Sequence, residues 1–181
     1  MRARKLSGRL EAMASFVSDG EKIADIGADH GYLSFYLVRE GVCPFAILTD
    51  VRKGPLEKTR LSAEKAFKIS AGIDTKIELR QGDGLFALEE AEVDAVVIAG
   101  MGGETIISIL SADPKKTKSF NKFILQPRTK TEPLKEWLEC ECWNIITETS
   151  AEERGRMCDI IVCAPMKKTS EGEDDRQGRP S

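Results

Sequence analysis

The sequence predicts an α/β fold, a doubly wound, mostly parallel Rossmann-like sheet that ends in an antiparallel C-terminal hairpin. Three observations predict it. Short apolar runs alternate with helical segments between residues 10 and 165, the pattern of a parallel sheet covered on both faces. The run 94–99, Asp-Ala-Val-Val-Ile-Ala, is apolar almost without a break, as a central parallel strand must be. After residue 142 the rhythm changes, and two strand-like runs follow with only a polar segment between them.

The elements follow in order. Residues 22–26 read as a strand stopped by Gly27, and 32–39 as a buried helix stopped by Gly41. Residues 45–49 form the second strand, ending at Asp50. Gly54-Pro55 opens a helix, with proline at the first position, where its missing N–H is harmless. That helix continues through 56–70, and Gly72 caps it. Residues 75–81 alternate like a strand, 94–99 are the fourth strand and 104–110 a helix. Residues 122–126 are the fifth strand and 133–139 a helix. The hairpin comprises 143–149 and 157–164, joined by a polar loop over 150–156. Residues 1–165 make one domain, and 166–181, with no apolar residue beyond Met166, are expected to be a disordered polar tail.

Composition narrows the class. A chain of 181 residues fits one domain. With 41% hydrophobic and 31% charged residues it is neither disordered over most of its length nor collagen-like. No apolar run approaches the roughly 18 residues a membrane helix needs. The basic N-terminus leads into Glu11 without an apolar stretch, so a secretory signal is not expected and the cytoplasm is the expected location. Five cysteines, an odd number, fit reduced thiols and are expected as small core residues. Cys140 and Cys142 form a single C-x-C and the only histidine is His30, so no metal is expected. A net charge of −3 argues against a wholly basic nucleic-acid-binding face. Locally, Arg2, Arg4, Lys5 and Arg9 crowd the first ten residues without an acid. Lys115, Lys116, Lys118, Lys122, Arg128, Lys130 and Lys135 stand against Glu132 alone in 115–135, a stretch expected near the mouth of the site.

In such a sheet ligands bind at the carboxyl ends of the strands. After the first strand comes the turn 25–32, Asp-Ile-Gly-Ala-Asp-His-Gly-Tyr. Gly27 permits a tight turn and Gly31 a close backbone approach, and the following helix N-terminus suits a carboxylate. Asp25 suits a cationic group such as an α-amine. A pyrophosphate would be repelled by Asp25 and Asp29, which disfavours a dinucleotide. An ordinary strand-turn-helix connection has the same appearance. Asp50, after the second strand, suits the two hydroxyls of a ribose, although a solvated aspartate there would look the same. Gly82-Asp83-Gly84 offers an acceptor for an adenine amine beside room for a flat ring, or a simple turn. Ala99-Gly100-Met101-Gly102-Gly103 brings bare backbone to where a methyl acceptor would lie, with Met101 otherwise core filler. Arg128 can hold a phosphate or face solvent. Together, in this order, these ends fit S-adenosylmethionine, and the terminal antiparallel strand is typical of methyltransferases that use it.

The segments ADIGADHGYL, DVRKGPLEKTR, RQGDGL, IAGMGGETIISIL and ILQPR resemble the bacterial tRNA adenine-N1 methyltransferases that modify adenine 22. The likeness runs from about Lys5 to Val162. It implies a class I methyltransferase fold with S-adenosylmethionine as cofactor and tRNA as partner. It implies that Asp25, Gly27 and Gly31 hold the methionine end, Asp50 the ribose, and Asp83 with Gly84 the adenine. His30 and Tyr32 match family positions, and His30, Ala99 and Gly100 are expected at the cofactor. Gly100 to Gly103 would line the acceptor site, with Gly102, Gly103 and Arg128 toward the substrate. Asp29, Tyr32 and Met101 are the candidate catalytic residues: Asp29 to stabilise the cationic adenine, Tyr32 or Met101 to pack on its face. Family members typically carry a further helical C-terminal domain, and here a polar tail follows instead. Two alternatives remain open on these residues: a methyltransferase for another RNA or a small molecule, and a non-catalytic cofactor-binding module. A nicotinamide dehydrogenase ranks below both.

Overall fold

The computed structural model describes residues 6–28, 30–67 and 76–166. The expected tail therefore lies outside the described residues beyond Met166. Seven strands form one sheet: β1 (Ile23–Ile26), β2 (Ala46–Asp50), β3 (Ile77–Gln81), β4 (Ala95–Gly102), β5 (Lys122–Thr129), β6 (Trp143–Glu153) and β7 (Arg156–Pro165). Their order is β3-β2-β1-β4-β5-β7-β6. The first five strands are parallel, and β7 runs antiparallel to both β5 and β6.

The helices are α1 (Gly8–Ala14), α2 (Tyr32–Arg39), α3 (Lys53–Phe67), α4 (Gly103–Ser111), α5 (Pro114–Ser119) and α6 (Thr131–Cys140). Alternation along the strands builds two cores. In β4, Ala95 and Val97 pack with Met13 of α1 and Leu33 and Leu37 of α2. Their neighbours Val96 and Ile98 pack on the other face with Ile106 and Leu110 of α4 and Leu134 and Leu138 of α6. Residues 95–98 are fully buried, on both faces of the strand, which is why 94–99 reads as an apolar run.

Several expectations are corrected. The helix after β2 starts at Lys53, so Pro55 sits inside the first turn, where the N–H groups lack intrahelical partners anyway. Its expected cap at Gly72 lies outside the described residues. The crossover from β3 to β4 holds only a 3₁₀ turn, Gly84–Ala87. The polar segment 150–156 is mostly strand: β6 continues to Glu153, β7 starts at Arg156, and the turn is Arg154-Gly155. Both turn residues have positive φ (52° and 75°), which matches the twist of a tight hairpin. Polar residues deceive here because this end of the hairpin is largely exposed. Helices α1 and α5 were not expected. Each has a side-chain cap, Ser7 accepting from the Leu10 amide and Asp113 from the Lys116 amide. Cys43 and Cys163 are buried as expected, whereas Cys140 and Cys142 are exposed at the end of α6, where the chain turns back toward β6.

Candidate cofactor and acceptor site

The carboxyl ends of β1 to β5 lie along one edge of the sheet, and the strand order reverses between β1 and β4. That reversal is the crevice where open α/β sheets take ligands. Asp25, in β1, is 7% exposed. The Ser34 hydroxyl of α2 donates to its carboxylate at 2.9 Å. Burial pushes the Asp25 carboxyl up to about 6, against the opposing pull of Ser34 and Arg9. A carboxylate so desolvated gains from a cation placed beside it.

The turn after β1 is held by two bonds, the Gly27 and Ala28 amides both donating to the Thr49 carbonyl of β2. Thr59 of α3, buried, donates to the Ala28 carbonyl at 3.1 Å and so ties the turn to the next helix. Gly27 has φ +68°, and a Cβ there would run into the Met101 methyl. Gly27 thus leaves room for the Met101 side chain at the crevice. Gly31 also has positive φ, +64°. A Cβ there would press on Leu48 and Phe35, so the glycine seats α2 on the sheet. His30 also has positive φ (64°), and its ring stacks on Tyr32 with centroids 5.4 Å apart. Tyr32 is 41% exposed, at the first turn of α2. Asp29 lies outside the described residues.

Asp50 ends β2, nearly buried, with one carboxylate oxygen accepting from the Arg52 amide at 2.8 Å. The Gly82 amide donates to the Asp50 carbonyl, which sets the exposed Asp83 and the half-buried Gly84 beside the end of β2. In β4, Ala99, Gly100, Met101 and Gly102 are half-buried at the strand end. The pairing with β5 slips there, Ala99 facing Gln126 and Met101 facing Pro127, so Gly100 is the residue passed over. Gly103 is buried, and a Cβ on it would overlap the Lys130 carbonyl. It lets α4 start against the β5–α6 connection and does not line an open surface.

The basic stretch 115–135 is split. Strand β5 crosses the sheet, about 26 Å for eight residues. Lys122, at its start, is level with Ala95, the first residue of β4, and bonds Glu21 and the Phe16 carbonyl. Lys115, Lys116 and Lys118 lie on α5, just before that amino end, with Lys115 paired to Glu90. Arg128 and Lys130 reach the carboxyl edge, both exposed, whereas Lys135, farther along α6, is paired to Glu148 and Glu132. The expectation that the whole stretch borders the site is therefore corrected. The site also uses side chains that sequence reading missed: Ser34, Thr59, Arg9 and Gln126. Ser34 had a signal, as the one small polar residue within the apolar face of 32–38. Among the described residues no cluster of His, Cys, Asp and Glu can hold a metal ion, and no helix is long and apolar enough to cross a membrane.

A doubly wound sheet with an antiparallel insertion and an acidic crevice is the architecture of a methyltransferase domain, and residues 6–161 match the family described by that name. The tRNA (adenine(22)-N(1))-methyltransferase of Bacillus subtilis is 37% identical over 162 residues, 90% of this chain and 66% of that one. The crystal structure of the B. subtilis m1A22 tRNA methyltransferase TrmK superposes with a TM-score of 0.80 at 37% identity, over 90% of this chain and 67% of that one. Sp1610 of Streptococcus pneumoniae, solved with S-adenosyl-L-methionine, gives 0.81 at 36% identity, over 92% and 77%. The chain belongs to the methyltransferase-domain family, in the branch of the bacterial tRNA (adenine-22-N1)-methyltransferases. It spans about two thirds of the length of the B. subtilis relative.

Proposed function

We propose that the chain transfers a methyl group from S-adenosylmethionine to N1 of an adenine in tRNA, at position 22. One observation carries the reading: Asp25 near the end of β1, Asp50 at the end of β2 and Asp83 just past the end of β3 follow one another along the carboxyl edge, outward from the crevice between β1 and β4. The buried Asp25 suits the ligand's ammonium, and Asp50, with one oxygen already bonded to the Arg52 amide, keeps the other for a ribose hydroxyl. Asp83 and Gly84 suit the adenine edge. His30 and Ala99 are candidates to contact the methionine end. When bound, the cofactor supplies a methyl group on a sulfonium.

The chain then has little chemistry to perform. Adenine N1 carries an in-plane lone pair and no proton at neutral pH, so no general base is needed, and the protein acts by positioning and by charge. Asp29 is the candidate to stabilise the positive charge on the adenine. Tyr32 and Met101 are candidates to pack on the ring, with Gly100 and Gly102 giving access to its edge. Because N1 is on the pairing edge, a paired target must be exposed before it can react. Arg128 and Lys130, the cations of 115–135 that reach this edge, are candidates for RNA phosphate, with a cytoplasmic setting implied by the substrate.

The test is methyl transfer from labelled S-adenosylmethionine to unmodified bulk tRNA, followed by nucleoside analysis. Labelled 1-methyladenosine is the expected product; label on another nucleoside, or none on RNA, overturns the assignment. Asp29→Asn is expected to bind cofactor normally and turn over more slowly. Full turnover by that variant removes Asp29 from the mechanism.

A further inference from the structure

Gln126 is a buried amide, 2% exposed, in the strand beside the acceptor loop. Its Oε1 accepts two hydrogen bonds, from the Gly100 amide at 3.1 Å and from Arg9 Nη1 at 2.6 Å. Its Nε2 donates to the Pro127 carbonyl at 2.7 Å, which fixes which way the amide faces. Gly100 has φ +74° and is the residue the β4–β5 pairing skips, so the Gln126 oxygen takes the place of a strand partner for its N–H. Arg9 comes from α1, outside the sheet. Its Nε donates to the carboxylate of Glu153, at the tip of the β6–β7 hairpin. Burial works against the ionisation of Glu153, but the Ser7 hydroxyl and Arg9 outweigh it and hold its carboxyl below the usual range. Gly8 allows this approach, since a Cβ there would press on the Glu152 carbonyl.

We infer that Arg9 and Gln126 are positioning residues for methyl transfer: Arg9, braced by Glu153, aims the Gln126 carbonyl at the Gly100 amide and so sets the backbone against which the acceptor base lies. The inference rests on the proposed reaction and on the acceptor loop being 99–102. A guanidinium fits this task because it reaches the amide oxygen and the carboxylate at once through separate nitrogens, whereas a lysine has a single nitrogen. The loop is then fixed by three segments remote in sequence, one of them N-terminal to the whole sheet.

The experiment compares Arg9→Met, Gln126→Met, the double variant and Arg9→Lys with the unaltered chain. Met13→Ala serves as a control that loosens α1 through its apolar contacts alone. Misplacing the acceptor predicts a fall in kcat of about tenfold to a hundredfold in either Met variant, with cofactor Kd changed less than about threefold. The double variant is expected to be no slower than the slower single one, since both act through one contact, and Arg9→Lys to recover part of the rate. A comparable fall in Met13→Ala, additive losses, or a loss confined to cofactor Kd overturns the inference. Should the unaltered chain methylate no RNA, the reaction reading fails, and amide exchange at Gly100 decides this one separately. Faster exchange in Arg9→Met than in Met13→Ala supports the contact, and equal exchange overturns it.

Discussion

Replacing Asp25 by asparagine should make the protein more stable at neutral pH relative to its stability in acid, while weakening its proposed cofactor binding. The carboxyl rises from its ordinary 3.8 to about 6 in the fold, chiefly through burial. Each pH unit is worth 1.36 kcal/mol, so ionised Asp25 costs the folded chain about 3 kcal/mol. The sign follows from proton linkage. Between about pH 4 and 6 the folded state binds more protons at this site than the unfolded state, so its contribution falls as pH rises and is constant above. Asparagine keeps an acceptor for Ser34 but brings an NH₂ that needs a partner, a constant cost of about 1–3 kcal/mol that does not vary with pH. The pH-dependent part is therefore the clean observable. In urea unfolding, the stability difference between Asp25→Asn and the unaltered chain should shift by about 2.4 kcal/mol in favour of the variant between pH 4 and pH 7.5. Calorimetry gives the other half. If Asp25 must ionise to receive the ammonium, the unaltered chain should bind S-adenosylmethionine about fourfold more weakly at pH 5.5 than at pH 7.5, and Asp25→Asn should bind weakly at both. A stability difference that stays flat across that range would refute the buried, poorly solvated carboxylate on which the reasoning stands.

Asp50→Ala should weaken S-adenosylmethionine by about tenfold to a hundredfold, the value of a hydrogen-bonded pair with one charged partner, measured by calorimetry at pH 7.5. Gly103→Ala should destabilise the fold by about 1–3 kcal/mol in denaturant unfolding, because the obstacle is the Lys130 carbonyl and backbone cannot swing aside as a side chain can. Charge reversal of Arg128 and Lys130 should weaken tRNA binding and flatten its salt dependence, whereas reversal of Lys115, Lys116 and Lys118 should change it far less. Filter binding across a salt series separates the two sets.

Where burial on both faces dictates apolar residues, the chain could be read directly. The four residues of β1 and the five of β2 are all buried, and both strands were placed within a residue. Helix α2 falls on the expected 32–39, since a left-handed glycine stands at each end, Gly31 before it and Gly41 after it. The short helices escaped because a turn or two carries too little periodicity, although Ser7 and Asp113-Pro114 are ordinary start signals. Of the site, the backbone-facing part was legible: the aspartates and glycines lie at strand ends, and strand ends follow from strands. The contacts that brace it were not. Arg9 and Gln126 are separated by 117 positions, and nothing in either neighbourhood marks the other. The misplaced lysines have the same origin, since seven cations adjacent in sequence are parted by a strand that crosses the sheet between them.

The last strand among the described residues, β7, does not lie at the sheet's edge but between β5 and β6. While a ribosome is still short of residue 156, β5 has no neighbour on that side, and Phe123, Ile124 and Leu125 offer unpaired backbone to whatever strand comes near. The β6–β7 turn at Arg154-Gly155 is therefore a timing element as well as a corner. It delivers β7 beside β6 by a local closure, which is fast, and leaves a single long-range insertion to complete the sheet. A nascent chain arrested just before that turn would be the form most prone to stick to its neighbours, and it would be protected once β7 had left the ribosome and paired with β5.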